Sequence, residues 1–233
     1  MAATGPVSRR ERPAKSALSQ ESIVDAAMTL LAADGLESVS MRRLAQALDT
    51  GPASLYVYVK NHHELVMLII DRLAAEIPLP RPGADDDWRE RLITLLTDTV
   101  AVLGRYRGVA VAMFATVPTG PNALALTEAM LGLVARSGIS RQAQAWAVDM
   151  LALYITAAGA EQRINSERGP TLAEHEVYAQ AARTFATLPP DRFPHLSGLY
   201  PEITSGEPEE RFRWALNVLL NGMLATPDPP TGR

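Results

Sequence analysis

The chain has 233 residues, of which 47% are hydrophobic and 21% are charged, so it can bury a core and is neither intrinsically disordered nor of low complexity. It contains no cysteine, which excludes a disulfide scaffold, a thiolate zinc site and a cysteine nucleophile. Its formal net charge of -4 argues against a protein that coats nucleic acid through a uniformly basic surface.

Positive charge is concentrated near the amino end. Residues 1–60 contain seven Lys and Arg against six Asp and Glu, whereas residues 61–233 contain 15 against 20. A polyanion would therefore approach the first quarter of the chain. Residues 1–18 carry Arg9, Arg10, Arg12 and Lys15 among Pro, Ser and Ala. We expect a flexible basic arm there, which either reaches the DNA backbone or minor groove or is a disordered tail.

No segment has the pattern of a leader or a membrane span. Residues 1–18 lack an apolar core, and the longest uncharged run, residues 108–127, is interrupted by Pro118, Gly120 and Pro121. Such a run favours two soluble helices joined by a turn. We expect a cytoplasmic protein without a membrane partner.

Helical spacing begins at the N-cap Ser19 and recurs along the chain, with no alternating strand pattern. The first predicted helix ends at Gly35, and its apolar face follows the i, i+3, i+4, i+7, i+8 spacing. That face consists of Ile23, Ala26, Ala27, Leu30 and Leu31. A second, shorter helix begins at the N-cap Ser40 and carries its charged residues outward.

A turn and two further helices follow. Asp49, Thr50 and Gly51 form the predicted turn, and Pro52 opens a third helix of about two turns. The inward side of this helix is predicted to hold Leu55, Tyr56 and Val59. Asn61 with Glu64 resembles a capping box that opens a fourth helix, whose inward stripe is Leu65, Leu68, Ile69 and Leu73.

Prolines and an acidic run at residues 78–87 interrupt the helical pattern, so we expect a second helical domain over residues 84–226. Its helices are predicted at about residues 88–104, 108–117, 122–136, 140–166, 171–188 and 207–225. The Pro-, Gly- and Ser-rich stretch 189–208 is predicted to be a long loop. The helix around Trp146 is apolar nearly all round, which favours burial on more than one side.

Two short helices joined by a three-residue turn, after a longer supporting helix, have the layout of a helix-turn-helix. Six polar side chains would lie on its DNA side: Ser40, Arg42, Thr50, Ser54, Tyr58 and Lys60. Their hydroxyls and cations suit phosphates, and Arg42 is long enough to reach a base edge. Because compact three-helix packing also occurs in other proteins, the same groups could be solvated surface residues, and spacing alone leaves both interpretations open.

The stretch Ser19 to Ile77 resembles the N-terminal DNA-binding domain of the tetracycline-repressor (TetR) family of bacterial transcriptional regulators. The resemblance includes "IVDAAMTLLAADGLESVSMRRLAQAL" and "ASLYVYVKNHHELVMLII", so residues 19–77 are expected to form that domain with its connecting helix. The final stretch "RFRWALNVLLNGM" is similar to the last helix of the tetracycline repressor branch, which contributes to a dimer interface.

The resemblance implies that Arg42 contacts a base or phosphate and that Tyr56 and Lys60 contact phosphates. It implies that the major groove is lined by Thr50, Pro52, Ala53, Ser54 and Tyr58. Two positions depart from the family pattern. Asp49 replaces the usual turn glycine but tolerates left-handed geometry, and His62 replaces a frequent lysine. Tyr56 has an alternative interpretation as a core aromatic with its hydroxyl at the rim.

The resemblance further implies an all-α protein whose larger domain binds a ligand and forms a dimer. Candidate ligand-binding residues mix apolar and a few polar groups: Met113, Phe114, Trp146, Met150, Tyr154, Gln162, Asn165 and Tyr178. Such a lining suits a small, largely hydrophobic effector, although each residue could instead be ordinary core.

The last helix has two apolar sides, which suggests a dimer interface or else one wide buried face. The first side is Phe212, Leu216, Leu219 and Met223, and the second is Trp214 and Val218.

An enzyme is the main competing class. The four histidines, His62, His63, His175 and His195, form no H-E-x-x-H site, and the sequence has no G-x-S-x-G elbow or Gly-rich phosphate loop. We therefore expect no catalysis, no cofactor and no metal. The predicted function is a ligand-responsive repressor that binds a palindromic operator as a homodimer. The alternative is a helical protein-interaction module or a small-molecule-binding protein without DNA activity.

Overall fold

The computed structural model describes residues 18–81, 87–168, 180–203 and 205–228, with side chains along the long helix described up to residue 164. The cations of the predicted basic arm, the side chain of Asn165, and Tyr178 lie outside the described residues. All regular structure in the described ranges is helical, which confirms the all-α prediction. No helix among the described residues is both long enough and apolar enough to span a membrane.

The amino-terminal domain contains helices α1 to α4 and a short 3-10 turn at Leu36–Ser38. The helices are α1 (Gln20–Asp34), α2 (Met41–Ala47), α3 (Pro52–Leu55) and α4 (His62–Ala74). Ser19 caps α1 as predicted, because its hydroxyl accepts a hydrogen bond from the Ser22 amide at 3.1 Å. Gly35 ends α1 with a φ of 80°, where a side chain would be strained.

The third helix is shorter than the two turns expected from its sequence. After Leu55 the chain continues as a turn, in which the amides of Tyr58 and Val59 both donate to the Leu55 carbonyl at 3.0 Å. The buried residues that join the four helices are Ile23, Ala27, Leu31, Leu44, Leu55, Val59, Leu65 and Ile69. Leu55 and Val59 thus anchor both ends of the turn in the core of the domain.

The larger domain contains seven helical segments in the described residues. They are α5 (Trp88–Arg105), α6 (Val109–Met113), α7 (Pro121–Ala135), α8 (Arg141–Arg168), α9 (described over residues 180–186), α10 (Pro194–Ile203) and α11 (Pro208–Ala225). The long loop predicted between residues 189 and 208 is wrong, because α10 occupies its centre. Pro194 is the first residue of that helix, where a missing amide hydrogen costs nothing.

Helix α5 lies at the centre of the larger domain and packs against α7 and α8. Its buried side chains are Leu92, Ile93, Leu95, Leu96, Val100, Val102 and Leu103. The approach of α8 to α5 requires a glycine, since a methyl group at Gly159 would lie 2.7 Å from the Cβ atom of Leu103.

The close packing of α5 and α8 predicts opposite effects of the same substitution at two helical glycines. Gly159→Ala should lower the free energy of unfolding by about 1–3 kcal/mol, because the added methyl group overpacks the contact with Leu103. Gly132→Ala is the matched control in α7, where nothing lies within 4 Å of the new Cβ, and it should raise stability by about 0.5–1 kcal/mol. Urea unfolding at one protein concentration measures both. Equal effects at the two sites would contradict this packing.

Candidate nucleic-acid interface

The turn between α2 and α3 depends on an aspartate in a left-handed conformation. Asp49 has a φ of 49° and is the one non-glycine residue with positive φ in the described part of the chain. The next amide, that of Thr50, donates to the carbonyl of Ala45 at 2.8 Å, which closes the turn against the end of α2. Asp49 therefore adopts the left-handed conformation at the position where the family usually has glycine, which confirms the prediction for this turn.

The amino end of α2 fixes one arginine and leaves its neighbour at the surface. Ser40 caps the helix, because its hydroxyl accepts from the Arg43 amide at 3.3 Å. The Arg43 guanidinium forms an ion pair with Asp34 of α1 at 2.7 Å. Arg42 lies between these anchored residues and is exposed. It is therefore the arginine of α2 whose position suits contact with a ligand outside the domain.

Three consecutive exposed residues, Tyr56, Val57 and Tyr58, lie between the buried Leu55 and Val59. The exposed fraction is 51% for Tyr56 and 79% for Val57, so the predicted inward position of Tyr56 is wrong. The backbone of Tyr56 is still helical, with a φ of -66° and a ψ of -12°, so its side chain lies about 100° around the axis from the buried Leu55, outside the core face. Val57 is not among the predicted DNA-binding residues, although its apolar side chain is exposed between Tyr56 and Tyr58.

Hydrogen bonds at the start of α4 hold the end of the exposed segment that contains Tyr56, Val57 and Tyr58. The Asn61 side chain accepts from the Glu64 amide at 2.8 Å, and the Glu64 carboxylate accepts from the Lys60 amide at 2.5 Å. The second bond involves Lys60 instead of the N-cap residue, so the predicted capping box is shifted by one residue. His62 Nε2 donates to the Val39 carbonyl at 2.9 Å, since a carbonyl can only accept. His62 therefore ties α4 to the segment before α2.

All nine predicted DNA-binding residues lie on the amino end of α2, on the turn or on α3 and its extension. Ser40 and Thr50 are half-buried, and the exposed members are Arg42, Pro52, Ala53, Ser54, Tyr56, Tyr58 and Lys60. The side-chain amide of Gln20 also donates to the Tyr58 carbonyl at 3.2 Å, so α1 supports the end of the segment. This surface offers one guanidinium, one ammonium, hydroxyl groups and apolar side chains to a partner.

The predicted ligand-binding residues differ in exposure in the described part of the larger domain. Phe114, Trp146 and Met150 are exposed, so the interior position expected for these three side chains is wrong in the single chain. Gln162 is also exposed, with its amide against Gly104, and Met113 is half-buried. Their role in a pocket remains a prediction.

Tyr154 has the most defined surroundings of the predicted ligand-binding residues. Its ring stacks on Phe212 of α11, with centroids 5.6 Å apart and planes at 6°. Burial raises the pKa of the Tyr154 hydroxyl above its ordinary value of 10.0, and the charge of Glu161 raises it further. The hydroxyl is therefore protonated at neutral pH and can donate a hydrogen bond.

A cleft of about 360 Å³ lies where the end of α1 meets α5 and α8. Its polar lining includes Asp34, Arg105, Arg107 and Arg163 and none of the predicted ligand-binding residues. Arg105 is already paired with Glu76 at 2.7 Å, and Arg107 donates to the Asp34 carbonyl. This cleft is therefore a junction between the two domains, not the apolar pocket expected for a hydrophobic effector.

No group of three or more His, Cys, Asp or Glu side chains within the described ranges is arranged to hold a metal ion.

Two family models match the chain. "Bacterial regulatory proteins, tetR family" matches residues 23–67, and "Tetracyclin repressor-like, C-terminal domain" matches residues 79–226. The sequence is 30% identical over 218 residues to the HTH-type transcriptional repressor DrrR1 of Streptomyces coeruleorubidus, covering 92% of this chain and 80% of that protein. It is 31% identical over 218 residues to an HTH-type transcriptional regulator of Saccharopolyspora erythraea, covering 91% and 87%.

A solved structure shows the same architecture. The TetR family protein ActR of Streptomyces coelicolor, crystallised in complex with actinorhodin, superposes with a TM-score of 0.81 at 34% sequence identity. The superposition covers 90% of this chain and 98% of ActR. The likeness therefore extends over both domains.

The positive φ of Asp49 predicts how the turn responds to substitution. Asp49→Gly should leave stability unchanged or higher, because glycine adopts this conformation without strain. Asp49→Val should lower the free energy of unfolding by about 1–2 kcal/mol, since a β-branched residue is strained there. Chemical denaturation checks both variants. If valine were tolerated as well as glycine, the left-handed turn would be disproved.

Proposed function

This chain belongs to the TetR family of ligand-responsive, DNA-binding transcriptional regulators, which are not enzymes, and on that premise we propose that it is a cytoplasmic homodimeric repressor. It binds a palindromic operator with one helix-turn-helix in each half-site and is released by a small, largely hydrophobic effector. The observation that carries the proposal is the outward face formed by Arg42 and the exposed residues 52–54, 56–58 and 60, fixed by the left-handed turn at Asp49.

The chemistry of this face supports sequence-specific DNA binding. Lys60 and the hydroxyls of Ser54 and Tyr58 suit phosphate and sugar contacts, which set the register of a protein on the duplex. Arg42 can form a bidentate pair with guanine, and Val57 can contact a thymine methyl group. Since the whole chain has a formal charge of -4, binding depends on this local face instead of on general attraction to phosphate.

The larger domain has groups that suit an effector of mixed but mostly apolar character. The stacked pair of Tyr154 and Phe212 provides an aromatic wall, and the protonated hydroxyl of Tyr154 provides one donor. ActR, which resembles this chain over both domains, was crystallised with actinorhodin. We therefore propose an effector with an aromatic or otherwise apolar body and an acceptor for Tyr154.

Exposed apolar side chains on α8 and α11 support the homodimer. Trp146, Met150 and Leu153 recur on α8 at the i, i+4, i+7 spacing and are all exposed. On α11, Trp214 is 70% exposed and Val218 is also exposed, while Leu216 on the other side is buried. Large tryptophans left in water are typical of a surface that a partner covers, and a second copy gives a four-helix interface.

Release of the operator by an effector needs only a moderate coupling free energy between the effector site and the DNA-binding surface. A coupling free energy of roughly 1–3 kcal/mol changes operator affinity by about 5- to 150-fold. The effector must favour one of two conformations, because a ligand that binds both equally shifts no population.

Selection from a randomised DNA pool tests the DNA-binding proposal. The protein should enrich a palindromic sequence, and Arg42→Ala and Tyr58→Ala should each weaken binding to it by about 1–3 kcal/mol in a fluorescence-anisotropy titration. Arg141→Ala, an exposed arginine at the start of α8, is the control with the same change of charge and should retain wild-type affinity. If no sequence is enriched even at low salt, the repressor proposal fails.

The dimer proposal predicts the effect of a charge in the exposed apolar faces. Trp214→Glu and Trp146→Glu should each convert the protein to a monomer at micromolar concentration, because an unpaired carboxylate in an apolar interface is costly. Leu124→Glu, at an exposed leucine of α7, should stay dimeric. Sedimentation velocity measures the three variants. Dimers that persist in both tryptophan variants would place the interface elsewhere.

A further inference from the structure

Asp71 of α4 reaches across the domain junction to the amino end of α7. Its Oδ1 atom accepts from the backbone amides of Asn122 at 2.9 Å and Ala123 at 3.0 Å. Its Oδ2 atom accepts from the side-chain amide of Asn122 at 2.8 Å. Both oxygens of one half-buried carboxylate are thus bound to the first turn of a helix in the other domain.

Helix α7 has no cap of its own that could replace this carboxylate. Its N-cap residue is Gly120, which has no side chain, and its first residue, Pro121, has no amide hydrogen. The amides of Asn122 and Ala123 would otherwise be orphan donors of the first turn. A carboxylate at that end is also favoured by the helix dipole. Asp71 therefore caps α7 from another helix.

The glycine at position 120 leaves the space that the Asp71 carboxylate occupies. Its φ of -69° and ψ of 158° are accessible to any residue, so the backbone does not require glycine here. A methyl group at this position would overlap the Asp71 carboxylate. The space needed for the carboxylate is therefore the reason why glycine fits this position.

The residue after Asp71 connects the same turn of α4 to α1, the supporting helix of the DNA-binding domain. Arg72 forms an ion pair with Asp25 of α1, and α4 packs against α1 on one side and against α5, α6 and α7 on the other. Asp71 and Arg72 thus hold the end of α4 between the two domains. A displacement of the amino end of α7 acts on α4 through Asp71.

We propose that Asp71 is a positioning residue for operator binding, which fixes the angle of α4 by capping α7 and so sets the separation of the two recognition segments in the dimer. The inference rests on the proposed function and names the contact that regulates it. An effector that moves the connection between α6 and α7 breaks this cap and releases α4. Asp71 itself touches no DNA.

The role of Asp71 is measured by the ratio of the affinities for operators with the correct and with altered half-site spacing. The probe is the palindrome enriched from the randomised pool, together with versions whose half-sites are one base pair closer or farther apart. Asp71→Asn should reduce the ratio of affinities for the correct and altered spacings by about 5-fold or more. A variant that only lowered the folded fraction would weaken binding to all three DNAs equally and leave the ratio unchanged.

Asp191→Asn is the matched control, because it removes the same carboxylate from an exposed aspartate in the turn before α10, away from the contacts that hold α4. Both variants change the net charge equally, so a general gain in attraction to DNA cancels between them. Asp191→Asn should keep the wild-type ratio. If Asp71→Asn also keeps it, the inference is overturned while the repressor proposal stands; if the pool yields no palindrome, the repressor proposal itself has failed.

Gly120→Ala tests the same contact from the side of α7 and serves if Asp71→Asn does not fold. It should lower the spacing ratio in the wild-type background and have little further effect in Asp71→Ala, where the space is already open. Hydrogen exchange of the Asn122 and Ala123 amides, measured without DNA, should become faster in both single variants. Unchanged exchange at these amides would also overturn the inference.

Discussion

Helix α4 is packed against both domains, and the position of the DNA-binding surface depends on that packing. Buried Leu65 and Ile69 belong to the continuous core of the protein, while His62 at the start of the helix holds the Val39 carbonyl. At the other end, Glu76 beyond the last turn binds Arg105 of α5. Because side chains in a close-packed core cannot shift independently, a change in the tilt of α4 moves the helix-turn-helix as a unit.

A second connection lies at the corner after α1. The Leu36 amide donates to the Arg107 carbonyl at 2.9 Å, and the Arg107 side chain donates to the Asp34 carbonyl. Glycine at position 35 leaves room for that arginine. The DNA-binding domain is therefore attached at two separate places. One attachment includes the backbone hydrogen bond between Leu36 and Arg107, and the other includes the side chain of Asp71.

Local features of this fold can be predicted from the sequence, whereas features set by contacts between distant residues cannot. Ser19, Asn61 and Asp49 act within a few residues of their own position, so their roles follow from cap and turn chemistry. Tyr56 follows the buried Leu55 by about 100° around the helix, and only the contacts of the folded domain decide on which side of the boundary between core and surface it lies. The cap on α7 joins positions separated by 51 residues, and neither segment shows this partner in its spacing.

The predicted ligand-binding residues illustrate a second limit on what can be predicted from the sequence. An apolar stripe on a helix looks the same in sequence whether it faces the core of its own chain or a partner. Composition favours a pocket position for Trp146 and Met150, whereas both side chains are exposed on α8. Among the candidates whose side chains the structure describes, Tyr154, whose ring packs on Phe212, combines an apolar environment with a polar atom in the way that a ligand-binding residue does.

The uncovered tryptophans on α8 and α11 have a consequence for how the protein is maintained in a cell. If assembly covers them, part of the free energy that holds each chain folded comes from its partner, and thermal stability then rises with protein concentration. In the proposed dimer, a newly made chain would expose this apolar surface until it met a second copy. At low protein concentration more chains would then be monomers of lower stability, and the unfolded fraction open to degradation would rise.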